Sequence, residues 1–506
     1  MKYLLGTDIG TSGTKTILTD LSGTVLAQDL QETDVLTPRP LWAEQWPDVW
    51  LEAAKASIKN TVKKAGVARE DIRAIAISGL YGGSGIPLDE EMNPIRPCMI
   101  WMDRRAQAES DWVLETVGKQ RLLDITKNGA DPYYGYTKML WMKRNEPENW
   151  AKTRLFLPPN DYVIYRLTGE VAIDYSSAGN IGGIFDMNTH TWSGELMDAM
   201  GIPRDMMPQR IVESTDIVGG LTAEAAAELG LWEGLPVIAS GIDCGAANIG
   251  LGVFDSGIYA AAIGTSMCAA LISDKPVQGE GLIIWPYLYK AKELSYYFAG
   301  GATAGAIVKW FRNTFCELEY GAERAGGQNA YDVLNEQAAT VPAGSEGLIV
   351  LPYFMGERSP VWDSDAKGTI VGLSLAHTKA HLYRAFLEAV AYSLRDAMNA
   401  TGENLGKYIL LAGGVTKSKL WRQIFADVTG YPVVCPKNDV EANMGDVMLA
   451  GIGTGLLTYD EVKQWQVLDE PIQPDPECHA TYDRCFTTYK SIYEHLKADM
   501  RALSAN

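Results

Sequence analysis

Apolar residues run in blocks along this chain, and the block spacing changes from strand-like to helix-like and back. Leu4 to Asp20 reads LLGTDIGTSGTKTILTD, with apolar runs on both sides of a Gly-, Thr- and Ser-rich turn. The pattern predicts a strand, a tight turn and a second strand. Leu21 to Leu26 continues as a turn and a third strand. Asp48 to Gly66 carries Trp50, Ala53, Ala54, Ile58 and Val62 at helical spacing, and Ile72 to Ile77 is a buried-strand run ending at Ser78-Gly79. Strands followed by a helix and another strand predict an α/β lobe with a mixed sheet.

The first hairpin has an echo. Ser256 to Ser273, SGIYAAAIGTSMCAALIS, again places Gly264, Thr265 and Ser266 between two apolar runs. Two such units predict two similar lobes facing a shared ligand. The echo is long and uncharged, but its central Gly-Thr-Ser predicts a buried hairpin and no membrane helix. Further on, Lys379 to Asn399 is an amphipathic helix with Leu382, Phe386, Val390 and Leu394 on one stripe and Thr378 as its cap. Pro159-Asn160-Asp161 opens another helix, with Asp161 expected as the cap. Tyr459 to Asn506 reads as a C-terminal helix and tail.

Chemistry enters at the turns. In the first hairpin, Asp8 stands among Gly10, Thr11, Ser12, Gly13, Thr14 and Lys15. Small residues let backbone N–H groups reach phosphate oxygens, and Lys15 adds positive charge. A carboxylate among such donors is expected where a hard cation, most simply Mg²⁺, lies between acid and phosphate. The spacing is not that of a Walker A loop. Pro236 to Ala239, a strand, delivers Asp243 into the small-residue stretch GIDCGAANIG. None of the five histidines lies in these motifs, so an aspartate is the expected general base. The strand Tyr408 to Leu411 ends in Gly413-Gly414, a turn that lets a nucleotide lie against backbone. The glycine-rich Leu80 to Gly85 suggests a cleft wall. Asp103 with Arg104 or Arg105 is either a surface ion pair or a hydroxyl-recognition pair for a polyol. Tyr133, Tyr134 and Tyr136 are either sugar-facing rings or packing.

The totals narrow the classes. A net charge of −19 disfavours nucleic acid and anionic membranes as partners. Seven scattered cysteines, without C-x-x-C, fit reduced thiols and a cytoplasmic location. Met1-Lys2 leads straight into the first strand, so no signal peptide is expected.

The ordered motifs DIGTSGTK, GIDCGAAN, IGTS, GERSPVWD and AGGVTKS resemble those of the FGGY carbohydrate kinases, from about residue 3 to about residue 460. The resemblance implies an α/β, actin-like ATPase (ribonuclease H-like) fold, with two similar lobes around a nucleotide cleft. The expected division is an N-terminal lobe over 1–250, a C-terminal lobe over 251–460 and a helical tail over 461–506, with a hinge near Gly250 to Gly257. It implies ATP and Mg²⁺ as cofactors and a small sugar as substrate, with a homodimer as a candidate assembly. By the same resemblance Asp243 is the catalytic base, Asp8 sits near Mg²⁺, and Thr11, Ser12, Lys15 and Thr265 contact phosphate. Gly305, Gly414 and Ser418 match positions near adenosine, and Asp103 and Tyr133 match the sugar pocket. Leu80, Tyr81 and Gly82 stand where xylulose kinases carry Gln-Met-His and glycerol kinases Gln-Arg-Glu; Cys244 replaces their Asn or Gln. The pattern leans to a ketopentose such as D-xylulose, with gluconate or a polyol as the alternative substrate. An actin- or chaperone-like ATPase is the alternative of another class.

Overall fold

The computed structural model describes residues 1–81, 83–275, 281–401, 406–437 and 441–504. Gly82 of the predicted cleft wall and Ala505-Asn506 of the predicted tail lie outside them. The chain forms two compact units. The first comprises Met1–Phe254, Ile284–Tyr296 and Val440–Gln466; the second comprises Asp255–Ile283, Tyr297–Asp439 and Val467–Asn506. These bounds differ from the contiguous division expected above, because a late helix returns to the first unit and the last helix packs within the second. The first boundary between units, Phe254/Asp255, falls inside the expected hinge segment.

In the first unit, β1 (Tyr3–Ile9) and β2 (Gly13–Asp20) form the expected antiparallel hairpin. Gly10 N donates to Gly13 O at 2.9 Å, which closes the turn. The third strand, β3 (Val25–Glu32), starts at the expected apolar pair Val25-Leu26 and continues beyond it through mostly polar residues on the sheet edge. Helix α1 (Pro47–Ala65) buries Trp50, Ala54 and Ile58, the stripe that its spacing predicts. Strand β4 (Ile72–Gly79) pairs parallel with β1, and β5 (Ile217–Gly220) and β6 (Pro236–Ile238) complete the order β5–β6–β4–β1–β2–β3. Helix α2 (Asp243–Gly250) follows β6.

The second unit repeats the plan. Strands β7 (Ile258–Ile263) and β8 (Met267–Ser273) form the echo hairpin. With β9 (Ser295–Gly301), β10 (Tyr408–Gly413) and β11 (Val433–Val434), five strands follow in the order β9–β8–β7–β10–β11. This matches β3–β2–β1–β4–β6 strand for strand. In both units the first strand pairs antiparallel with the second and parallel with the fourth. Helices α3 (Gly305–Phe315), α4 (Lys379–Asn399) and α5 (Lys419–Thr429) belong to this unit. The chain then returns to the first unit as α6 (Ala442–Gly453), and ends in the second as α7 (Pro476–Ser504).

Two local expectations change. The helix Pro159–Thr168 is entered at Pro158, and Asp161 lies inside its first turn as a buried side chain, so it is not the cap. The apolar run Met99 to Met102, in which the sequence predicts a short strand, forms one only at Cys98–Met99, because the chain turns into the charged corner of Asp103 and Arg105. Among the described residues no helix is long and apolar enough to cross a membrane. None of the seven cysteines is joined in a disulfide.

Candidate active site

The carboxyl ends of β1, β4 and β6 gather the loaded turns of the first unit. Asp8 on β1 is the register partner of Ser78 on β4 and of Lys15 on β2. Gly79 N donates to Gly241 O at 3.0 Å, so the segment leading to Asp243 leaves beside the end of β4. Ile242 N donates to Ser176 Oγ at 3.1 Å, and the Asp243 carboxylate accepts from Cys244 N at 2.6 Å. Asp243 therefore sits at the first turn of α2, where the helix dipole favours negative charge.

Asp8 and Asp243 feel each other's charge. Burial, then the Asp243 carboxylate, push the Asp8 carboxyl up to about 8; Glu441 adds to the rise, while Ser78 and Lys15 oppose it. Burial pushes Asp243 up to about 6 against the opposing bond from Cys244. Two carboxylates that close cannot both ionise freely without a cation or a shared proton. Lys15 is already ion-paired with Glu441. The residues present therefore fit a divalent cation: negative charge is in excess at Asp8. Among the described residues no three His, Cys, Asp or Glu side chains converge as a metal cluster. Mg²⁺ needs no such cage, since one or two carboxylates plus phosphate oxygens and water suffice.

The other residues expected near phosphate in the first hairpin differ in exposure. Ser12 is exposed, while the Thr11 hydroxyl accepts from Trp101 Nε1 at 3.1 Å.

The sugar-pocket positions divide. Asp103 is fully buried, and its two oxygens accept from Ala43 N at 2.8 Å and from Arg105 N at 3.1 Å, Nε at 2.9 Å and Nη2 at 2.6 Å. The pair is buried, not on the surface, and Arg105 also stacks 3.5 Å over the Trp42 ring. Arg104 instead forms a bidentate pair with Asp131, at 2.5 and 3.0 Å. Tyr133 is half-buried and lies against the buried Tyr81, with ring centroids 4.9 Å apart. The Tyr81 hydroxyl accepts from Gly135 N at 2.5 Å. Leu80 and Tyr81 line a cavity of about 10 Å³ with Ile242, the residue before Asp243. It has room for a single water, not a sugar.

In the second unit, Ile263 and Gly413 are register partners, so the Gly264-Thr265-Ser266 and Gly413-Gly414 turns leave the sheet side by side. Thr265 and Gly414 are exposed. Gly305 N donates to Gly264 O at 2.8 Å, and a Cβ at Gly305 would collide with that oxygen at 2.5 Å. Glycine is required there because α3 starts directly on the turn. Ser418 caps α5, accepting from Trp421 N at 3.2 Å.

Sequence reasoning missed three groups in the first unit. Glu441 pairs with Lys15 from a position more than four hundred residues away. Asp446 is wholly buried, accepting from Ser78 Oγ at 2.9 Å and Ser240 Oγ at 2.5 Å, and burial with the Asp8 charge holds its carboxyl well above the usual range. Lys138 is wholly buried, donating to the carbonyls of Pro132 at 2.7 Å and Tyr133 at 2.5 Å; burial lowers it to about 7. Only Asp446 had a local signal, an acid inside the otherwise apolar run of α6.

The model of the FGGY family of carbohydrate kinases, N-terminal domain, matches residues 3–250, and that of the C-terminal domain matches residues 259–454. The chain is 32% identical to the xylulose kinase of Bacillus subtilis (strain 168) over 505 residues, 98% of each chain. It is similar to the crystal structure of xylulose kinase from Rhodospirillum rubrum, with a TM-score of 0.89 and 30% identity over 99% of this chain and 100% of that one. The gluconate kinase structure from Lactobacillus acidophilus has a TM-score of 0.90 and 27% identity over 99% of each chain.

Proposed function

On the premise that the chain belongs to the FGGY family of carbohydrate kinases, we propose that it phosphorylates a hydroxyl of a small keto sugar, D-xylulose first, with Asp243 as general base. The protein is an ATP-dependent sugar kinase with the two-lobe actin-like fold of that family. The finer reading rests on one observation: Asp243 is a carboxylate at a helix start, held by Cys244 N and raised toward neutrality by its surroundings. A base with pKa about 6 is ionised at neutral pH yet basic enough to accept a hydroxyl proton during transfer.

Asp8 would hold Mg²⁺, which when bound neutralises charge on the transferring phosphoryl group. Lys15 balances the charge of the Asp8 carboxylate, and Ser78 Oγ lies beside it at 3.4 Å. Thr11, Ser12 and Lys15 in the first unit, and Thr265 in the second, would donate to phosphate oxygens. Gly305 keeps a side chain away from the Gly264-Thr265 turn, where the nucleotide would lie against backbone, and the exposed Gly414 would face it from the neighbouring Gly413-Gly414 turn. Ser418 contributes there through the start of α5. Tyr133 would offer a ring face to the sugar, while Asp103 acts through Arg105 as a buried support.

Gluconate is a second reading, favoured by the likeness to the gluconate kinase structure. A coupled assay with ATP, Mg²⁺ and a panel of pentuloses, hexuloses, polyols and aldonates decides between them; D-xylulose is expected to give the highest kcat/KM. Asp243→Ala should abolish transfer while nucleotide binding, read by calorimetry, persists. Near wild-type turnover in that variant would refute the base assignment.

A further inference from the structure

We propose that Asp446 is a positioning residue of this kinase: it braces the two chain segments that carry Asp8 and Asp243. The inference rests on the roles just proposed for those two carboxylates.

The geometry is specific. Asp446 projects from α6, and its side chain is completely buried. One oxygen accepts from Ser240 Oγ at 2.5 Å and the other from Ser78 Oγ at 2.9 Å. Both serines are themselves fully buried. Ser78 is the register partner of Asp8, and its hydroxyl lies 3.4 Å from Asp8 Oδ1. A hydroxyl has one proton to donate, and the shorter contact is to Asp446. Ser78 is thereby held between the two acids, at a fixed place beside Asp8.

Ser240 leads to the other carboxylate. It precedes Gly241-Ile242-Asp243 and has φ +50, a left-handed conformation that is costly for a residue with a Cβ. Such a conformation persists only when the surroundings fix it. Four bonds to neighbouring elements hold this segment: Ser240 N donates to Ser214 O at 2.9 Å, Ser240 Oγ donates to Asp446, Gly241 O accepts from Gly79 N, and Ile242 N donates to Ser176 Oγ. Of these four, the one from Ser240 Oγ goes to α6, and it is the bond on the side chain of the left-handed residue.

The body of α6 supports the same role. A Cβ at Gly445, next to Asp446, would lie 2.7 Å from the carbonyl carbon of Ala246 on α2 and 3.0 Å from Gly250 N. A Cβ at Gly6 on β1 would lie 2.9 Å from Val447 N on α6. Backbone of α6 therefore comes close to both the strand of Asp8 and the helix of Asp243, and at each crossing a glycine makes the approach possible. Asp446 is the polar pin of an otherwise steric clamp.

The test compares Asp446→Asn, Ser240→Ala and the double variant with the wild-type full-length protein. Asp446→Asn keeps the shape but halves the accepting capacity. We expect kcat to fall about tenfold to a hundredfold, because sub-ångström misplacement of reacting groups has effects of that order. KM for sugar and the calorimetric affinity for ATP should stay within about threefold. The double variant should lose little more than the worse single one, since both break one contact. Unchanged kcat in folded Asp446→Asn, or fully multiplicative losses, would overturn the inference. Should Asp446→Asn fail to fold, Ser78→Ala and Ser240→Ala carry the test: a fall in kcat at constant ATP affinity supports it, and unchanged kcat in both overturns it. The parallel Asp243→Ala measurement separates the two layers. Turnover retained there refutes the base assignment, whereas turnover lost there with Asp446→Asn unaffected refutes only the brace.

Discussion

Gly445→Ala adds one methyl group at the place where α6 and α2 touch. The new Cβ would stand 2.7 Å from the Ala246 carbonyl carbon and 3.0 Å from Gly250 N, with the Ala246 oxygen nearer still. Comfortable contact between such atoms needs about 3.5 Å or more. The two helices must therefore part by roughly 1 Å, and both obstructing groups are backbone, which cannot rotate away. Overpacking of this kind costs about 1–3 kcal/mol. The gain in helix propensity of Ala over Gly, about 1 kcal/mol, offsets part of it. Because α2 begins at Asp243, the displacement moves that carboxylate, and a misplacement near 1 Å costs about a hundredfold in rate. Activity should fall far more than stability. Thermal unfolding and steady-state kinetics read the two effects separately. Gly321→Ala is the control, since its Cβ would meet open space in an exposed helix of the second unit, and it should be neutral or stabilising. Wild-type kcat in Gly445→Ala would refute the claim that this crossing sets the site.

Two more outcomes follow from the charges. Asp8 and Asp243 both titrate above the ordinary carboxylate value of about 4. The folded state thus holds these protons more tightly than the unfolded chain, so their stabilising contribution is whole below about pH 4 and is lost as pH rises through about 6 for Asp243 and about 8 for Asp8. Melting of ligand-free protein from pH 5 to 8 should show Asp8→Asn gaining on wild type as pH rises, while wild-type kcat/KM rises through about pH 6; an opposite trend in either would contradict the burial argument. Asp103→Ala should leave Arg105 paired with Glu44 alone, at 2.8 Å, and Ala43 N without its acceptor, a loss of about 1–3 kcal/mol seen as a lower melting temperature. A stable Asp103→Ala protein with only a raised KM for sugar would instead make Asp103 a direct substrate contact.

The hairpins, the α1 stripe and the amphipathic α4 were legible because each depends on a short period in the sequence. The repeated sheet plan was legible through two similar turns, Gly10 to Lys15 and Gly264 to Ser266. The pairing of Asp8 with Asp243 came from the family resemblance, which gives one acid to Mg²⁺ and the other to catalysis, and not from the spacing of the two motifs. Lys15–Glu441 and Ser78–Asp446 were not legible, since each joins residues hundreds of positions apart and no local spacing announces the partner. Asp161 misled because an acid one turn into a helix looks like a cap, and burial beside Pro158 decides otherwise. Asp103 had two readings from its charged neighbours, a surface ion pair or a hydroxyl-recognition pair, because sequence does not show burial; the structure buries the ion pair and has Asp103 accept from Ala43 and Arg105.

The return of α6 to the first unit has a consequence for how the chain is made. More than four hundred residues separate β1 from α6, and at about 5–20 residues per second the interval between their synthesis is roughly twenty seconds to a minute and a half. Throughout that time the face of β1 at Gly6 has no helix to cover it. The nascent first unit must wait, part-built, while most of the second unit is synthesised, so the surroundings of Asp8 and Asp243 are complete only once α6 has emerged.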